Sequence, residues 1–212
     1  VSERHKAKKS TAKELIPPLI IGVLGALGVV ALYFTVPGFQ AVEVLGLLLG
    51  VVFVALGFKQ RILRGIMALF ILYFATGIAA TFYELTSPYI GAPFGGEPTL
   101  SNKTLAFIVL TIVIWVALEV LGRALFKDST LPALGILDNL GGLFLYLIIG
   151  ILVATLLFNA VGYGWARRAH NRAALRTRFR QVLQIHYATQ SFWFPGSPPS
   201  IYGYDLNPPS EP

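Results

Sequence analysis

The sequence predicts an all-α integral membrane protein: about five transmembrane helices, then a C-terminal basic amphipathic helix and an extended Pro/aromatic tail. Three observations predict it. The 212 residues are 55% hydrophobic and only 13% charged, too few charges for an ordinary soluble surface. Those charges gather at the two ends and in short connections, leaving uncharged runs close to the ~20 residues that cross a bilayer core as a helix. Within lipid the backbone must satisfy its own hydrogen bonds, and a helix does so inside one segment.

Residues 1–14 (VSERHKAKKSTAKE) form a basic, polar arm carrying Arg4, Lys6, Lys8, Lys9 and Lys13. Pro17 and Pro18 suit the entry to a helix, where a missing N–H costs little, so the first span is placed at about 15–36. The basic start followed by an apolar stretch looks like a signal sequence from a chain lacking its initiator Met. Its apolar part is too long and has no small-x-small cleavage site, so it reads as a retained helix. Pro37-Gly38 makes a turn into a second span at about 41–58. Lys59, Gln60, Arg61 and Arg64 form a basic connection to a third span at about 63–83. Residues 84–103, rich in Pro, Gly and Ser, form the one long loop. A fourth span at about 104–121 and a fifth at about 137–162 complete the domain, assigned to 15–163.

Residues 164–187 differ in kind. They carry six arginines, of which Arg168, Arg172, Arg176 and Arg180 recur every four residues and so line one helix face. Leu175, Phe179, Val182, Leu183 and His186 fall on another. This is the pattern of an interfacial helix, and its arginines are expected to meet lipid headgroups or an acidic partner. In the tail, 188–212, six prolines are interleaved with Phe192, Trp193, Phe194, Tyr202 and Tyr204. Such a segment cannot fold alone; the five aromatics are expected to anchor it on another membrane subunit, with the bilayer surface as the alternative.

Basic residues set the orientation. An N-terminus in the cytoplasm puts the arm, the 59–64 connection and Arg123/Lys127 inside, ten of the seventeen basic residues. Five spans then put the six C-terminal arginines outside, against the rule. Anionic lipid and other membrane subunits are the expected partners of the +7 net charge; nucleic acid is not.

Few residues suggest chemistry. No cysteine is present, which excludes disulfides and thiolate sites. Glu119 precedes Arg123 by four, the favourable helical order, and is read as a local pair rather than an ion relay. Glu43 suits the positive end of the second span. Asp138 resembles an N-cap of the fifth, and Asn159 could bond across helices. Gly46 and Gly50, with Gly141, Gly142 and Gly150, are assigned to close helix packing. His5, His170 and His186 lie outside every span, so no side chain is expected to ligate a cofactor or metal. A lipid, quinone or pigment at the periphery is compatible with the composition. No catalytic constellation is visible, and no enzyme is expected.

From about Val42 to Val161 the order of elements resembles the colicin V production protein family. The glycine-punctuated GLLLGVVFVALGFKQRILRGIMALFILYFATGIAATFYE comes first, then a Pro/Gly loop, a span ending LEVLGRALFK, and LPALGILDNLGGLFLYLIIGILVATLLF. Asp138, Leu140, Gly141 and Gly142 look like the family's Asp-x-Leu-x-Gly opening of its final helix. Arg61, Arg64 and Gly65 look like its Arg-Gly turn. The resemblance leaves the first span and the arginine helix outside the pattern. It implies a non-enzymatic role in the bacterial inner membrane linked to colicin V export, and carries over no catalytic residue. Two functions follow as expectations: an accessory, structural subunit of a larger membrane complex, respiratory or photosynthetic, or a stand-alone protein supporting export or envelope function.

Overall fold

The computed structural model describes residues 2–91, 100–125, 136–164 and 167–194. The elements are helical: α1 (Ser2–Thr35), α2 (Ala41–Gly91), α3 (Leu100–Leu125), α4 (Ile136–Gly164), α5 (Arg167–Arg172) and α6 (Arg176–Gln190). The first four are long and apolar enough to cross a membrane, and the protein is an all-α, multi-pass membrane protein.

The helical run of α2 is broken once. Arg61 has φ 65 and ψ 173, a conformation that side chains rarely adopt. Neighbours show that the chain reverses there. In the first arm, 41–60, Gly46 lies against the backbone of Ala154, Gly50 against Gly150, and Gly57 against Gly142 and Tyr146, so this arm runs antiparallel to α4. In the second arm, 62–91, Ile62 meets Gly141 and Gly65 meets Leu145, and Leu72 shares a cavity wall with Val153 and Leu156. This arm runs parallel to α4. The two arms are the second and third spans joined by a hairpin, which gives five crossings from four continuous helices.

Small residues make this contact possible. A Cβ on Gly50 would sit 3.2 Å from the Gly150 carbonyl oxygen, and one on Gly150 would sit 2.7 Å from that of Gly50. Backbones approach this closely only where no side chain intervenes, and in lipid such packing, rather than water exclusion, holds helices together. α4 is the most enclosed span and α1 the least. α1 lies antiparallel to the first arm, with Gly25 against Val51 and Gly22 against Ala55. α3 lies antiparallel to the second arm. Lys103 Nζ bonds Glu84 Oε1 at 3.2 Å at one end, and Gly122 rests on Met67 at the other. The start of α1, the Arg61 hairpin, the end of α3 and the start of α4 therefore share one end of the bundle; α5 and α6 cap the other.

Four boundaries differ from the sequence reading. α1 does not begin at the prolines but runs through Pro17 and Pro18; the carbonyls of Lys13 and Glu14 lose their helical donors there, at the basic arm beside the apolar span. The third span continues to Gly91 through Pro88, shortening the expected loop; Thr86 and Ser87 hydroxyls bond back to carbonyls of the preceding turn. The single arginine helix is two helices, broken at 173–175. Residues 188–190 are not extended but end α6, and Trp193 and Phe194 N–H groups bond back to Gln190 O in a further turn.

Candidate functional site

At the hairpin end, the positive φ of Arg61 leaves the N–H of Ile62 without a helical acceptor, because the second arm starts there. Asp138 supplies one: its Oδ1 accepts from Ile62 N at 3.0 Å. Asp138 therefore caps the second arm of α2, not its own helix. The expected local cap is corrected by a partner 76 residues away in sequence. Its Oδ2 lies 3.9 Å from Arg61 Nε. Asp138 is 2% exposed. Gly142 completes the joint, since a Cβ there would lie 2.7 Å from the Arg61 backbone, while Gly141 packs on Ile62. The Arg-Gly turn and the Asp-x-Leu-x-Gly opening thus interlock.

At the other end, Pro37 and Gly38 (φ 82) turn the chain from α1 into α2. Glu43 is fully buried. Its Oε2 accepts from Gln40 N at 2.6 Å, the reciprocal half of a capping box. Its Oε1 accepts from Leu175 N, also at 2.6 Å. Taking the Leu175 N–H for a carboxylate breaks the arginine segment between α5 and α6. Glu43 is an interfacial cap that also ties down the C-terminal segment.

Two histidines complete the tie. Asn159 Nδ2 donates to Thr155 O at 2.8 Å, which leaves Oδ1 to accept from His170 Nε2 at 3.1 Å; Asn159 thus bonds between α4 and α5. The ring of His170 lies on Phe158 and against Gly162. His186 Nε2 meets Thr76 Oγ1 at 3.1 Å, and Gln190 Nε2 donates to the same hydroxyl and to Tyr73 O, both at 2.7 Å. Burial holds the His186 pKa down at about 4. His170 is lowered too, by burial and then by the Arg176 charge, with a side-chain bond to Asn171 acting the other way. Phe179, Leu183, His186 and Gln190 form the inner face of α6. Sequence reasoning placed His186 on the apolar face of its helix and treated both histidines as non-ligands; their partners Thr76 and Asn159 had no local signal.

The arginines stay outside. Arg168 and Arg172 on α5 and Arg178 on α6 are exposed, and Arg176 and Arg180 are half-buried. Arg168, Arg172 and Arg176 make no ion pair among the described residues. The helix break means that the four-residue repeat does not form one continuous stripe. The aromatics divide. Phe192 and Trp193 are 86% and 71% exposed, but Phe194 packs within its own chain, against Gly77 and the ring of Phe74. Phe194 is therefore not an anchor held out for a partner. Tyr202 and Tyr204 lie outside the described residues.

Glu119 and Arg123 pair at 2.9 Å on the outside of α3. A cavity of about 220 Å³ between both arms of α2, α3 and α4 is apolar except for Thr111, whose buried hydroxyl has no hydrogen-bond partner. Among the described residues no cluster of three or more His, Asp or Glu could hold a metal.

The family model for colicin V production protein matches residues 42–185. The match runs past Val161 through α5 and into α6, so the arginine-bearing helices, expected to lie outside the family pattern, fall within it. No curated protein and no solved structure matches the chain.

Proposed function

The chain belongs to the colicin V production protein family, and from that premise we propose that it is a non-catalytic, accessory and structural subunit of a larger membrane assembly. The observation that carries this reading is α1. It packs along the first arm of α2 and leaves Leu19, Leu24, Leu27 and Phe34 at least 60% exposed. It is the least enclosed of the spans. In lipid an apolar surface has no water to escape, so exposure alone costs nothing; a span so loosely held is free to pack against another protein. The interlocked hairpin at one end and the tied cap at the other make a rigid frame, and neither offers a paired acid, base or nucleophile.

The test is purification from the native membrane in mild detergent, with a photo-crosslinking residue at Leu24. A crosslink to one defined membrane protein is the expected result, and its identity distinguishes respiratory, photosynthetic and export assemblies. Crosslinks to lipid alone would support the second reading, a stand-alone protein serving export or the envelope.

We place the protein in the bacterial inner membrane with the N-terminus and hairpin end in the cytoplasm. Lys59, Arg61, Arg64 and Arg123 lie at that end, where α1 also starts, which the positive-inside rule favours, while the six arginines of 164–187 at the opposite end run against it. Lys8→Cys and Ile90→Cys variants should react with an impermeant thiol reagent from opposite sides of sealed vesicles. Reaction from the same side would overturn the orientation.

A further inference from the structure

We propose that α5, α6 and the turn after them form a built-in binding surface for anionic phospholipid, arginines on the headgroup phosphates and Ile185, Phe192 and Trp193 in the boundary below.

The position of α6 comes first. Its inner face packs on Tyr73 and Thr76 of α2 and on Phe158 of α4, while Phe194 in the turn after it packs on Gly77. Gly38, in the turn between α1 and α2, lies against the Arg172 carbonyl, and Leu175 N bonds Glu43 near the start of α2, so α5 and the start of α6 lie at the end of the bundle where the spans leave the hydrocarbon core. Basic residues at that end face the headgroups, and the exposed apolar residues later in α6 and its following turn reach the layer below.

Chemistry comes second. Arg168, Arg172 and Arg178 project outward. Among the described residues, Glu43 is buried on two backbone N–H groups and Glu84 holds Lys103, so neither is paired with these arginines. A guanidinium left without a carboxylate is suited to phosphate oxygens, which it grips through two parallel N–H bonds. Along α6, Arg178, Gln181 and Ile185 follow at helical spacing and are all exposed. Ile185 is 69% exposed beside this charge. A basic surface carrying a large aliphatic and two bare aromatics fits a boundary whose outer layer is anionic and whose inner layer is apolar; Trp in particular settles there.

Rigidity comes third. The inner face is fixed at Glu43, His170, His186 and Gln190, so the arginines are presented in place, and binding costs less ordering than it would for a free basic tail. The proposal stands apart from the accessory-subunit reading, since it requires no protein partner.

The test uses the full chain in detergent, with Trp115→Phe and Trp165→Phe so that Trp193 alone reports. Brominated phosphatidylglycerol and brominated phosphatidylcholine are titrated as quenchers. The anionic lipid should quench Trp193 with at least ~10-fold preference at low salt, an advantage of the size expected from several arginines at an anionic surface, shrinking severalfold near 0.5 M salt. The triple variant Arg168→Gln/Arg172→Gln/Arg178→Gln should quench equally with both lipids. Equal quenching of the unaltered arginines by the two lipids, or a preference that survives high salt or the triple substitution, overturns the proposal. The salt series needs no substitution in the cap, so misfolding of the triple variant does not spare it.

Discussion

Alanine at Asp138 should destabilise the bundle by about 3 kcal/mol, whereas glutamine at Arg61 should cost well under 1 kcal/mol. The difference follows from what each contact is. The Ile62 N–H starts a helix arm in a partly buried site and has Asp138 Oδ1 as its acceptor at 3.0 Å. A hydrogen bond to a charged acceptor, lost so that a donor is left unsatisfied, lies at the upper end of hydrogen-bond values. The ion pair is longer, 3.9 Å, and its arginine side chain is 43% exposed, so solvent screens it. Asp138→Asn, which keeps an oxygen for Ile62, should retain most of the stability. Arg61→Gly should be neutral or stabilising by about 1 kcal/mol, because glycine adopts φ 65 without the side-chain penalty. Gly142→Ala should fall with Asp138→Ala, since its Cβ would collide with backbone that cannot rotate away. Thermal unfolding in mild detergent measures all five. Equal losses in Asp138→Ala and Arg61→Gln would mean that the charge pair, not the backbone cap, holds the hairpin.

The five crossings were legible because hydropathy needs only local sequence, and the glycines marked where α2 and α4 approach. The shared face of Phe179, Leu183 and His186 was legible too, but the interfacial pattern pointed it at lipid, whereas the chain's own bundle buries it. What local rules could not reach were the long-range ties. Asp138 stands where an N-cap of its own helix would stand, and nothing nearby says that it serves Ile62 instead. The segment NRAALR has neither Gly nor Pro, so the break at 173–175 was invisible; it exists because Glu43, in another helix, takes the Leu175 N–H. Phe194 was grouped with exposed aromatics by composition, yet the space beside Gly77 takes its ring. At both ends of the bundle the deciding partner is a backbone group, which carries no sequence identity.

Acid should release the C-terminal cap. His186 is 6% exposed, and burial is the cause that lowers its pKa from 6.5 to about 4. The groups facing it are Thr76, the Tyr73 ring on α2 and Gln190 on its own helix; the Tyr73 phenol donates to Thr189 O, and no carboxylate is among them to steady an imidazolium. Above pH 6.5 the ring is neutral whether the helix is docked or detached, and docking is insensitive to pH. Between pH 6.5 and 4 the detached ring takes a proton that the docked ring refuses, so each step downward favours detachment. The whole interval is worth about 3 kcal/mol, and the depressed His170 acts in the same direction. Hydrogen exchange across 176–190 should therefore be slow at pH 7 and, after correction for intrinsic exchange, lose protection by roughly 30-fold at pH 5. His186→Gln, which keeps a donor for Thr76 but cannot titrate, should remove most of that loss. The same acid sensitivity in His186→Gln would assign the effect to a group other than His186.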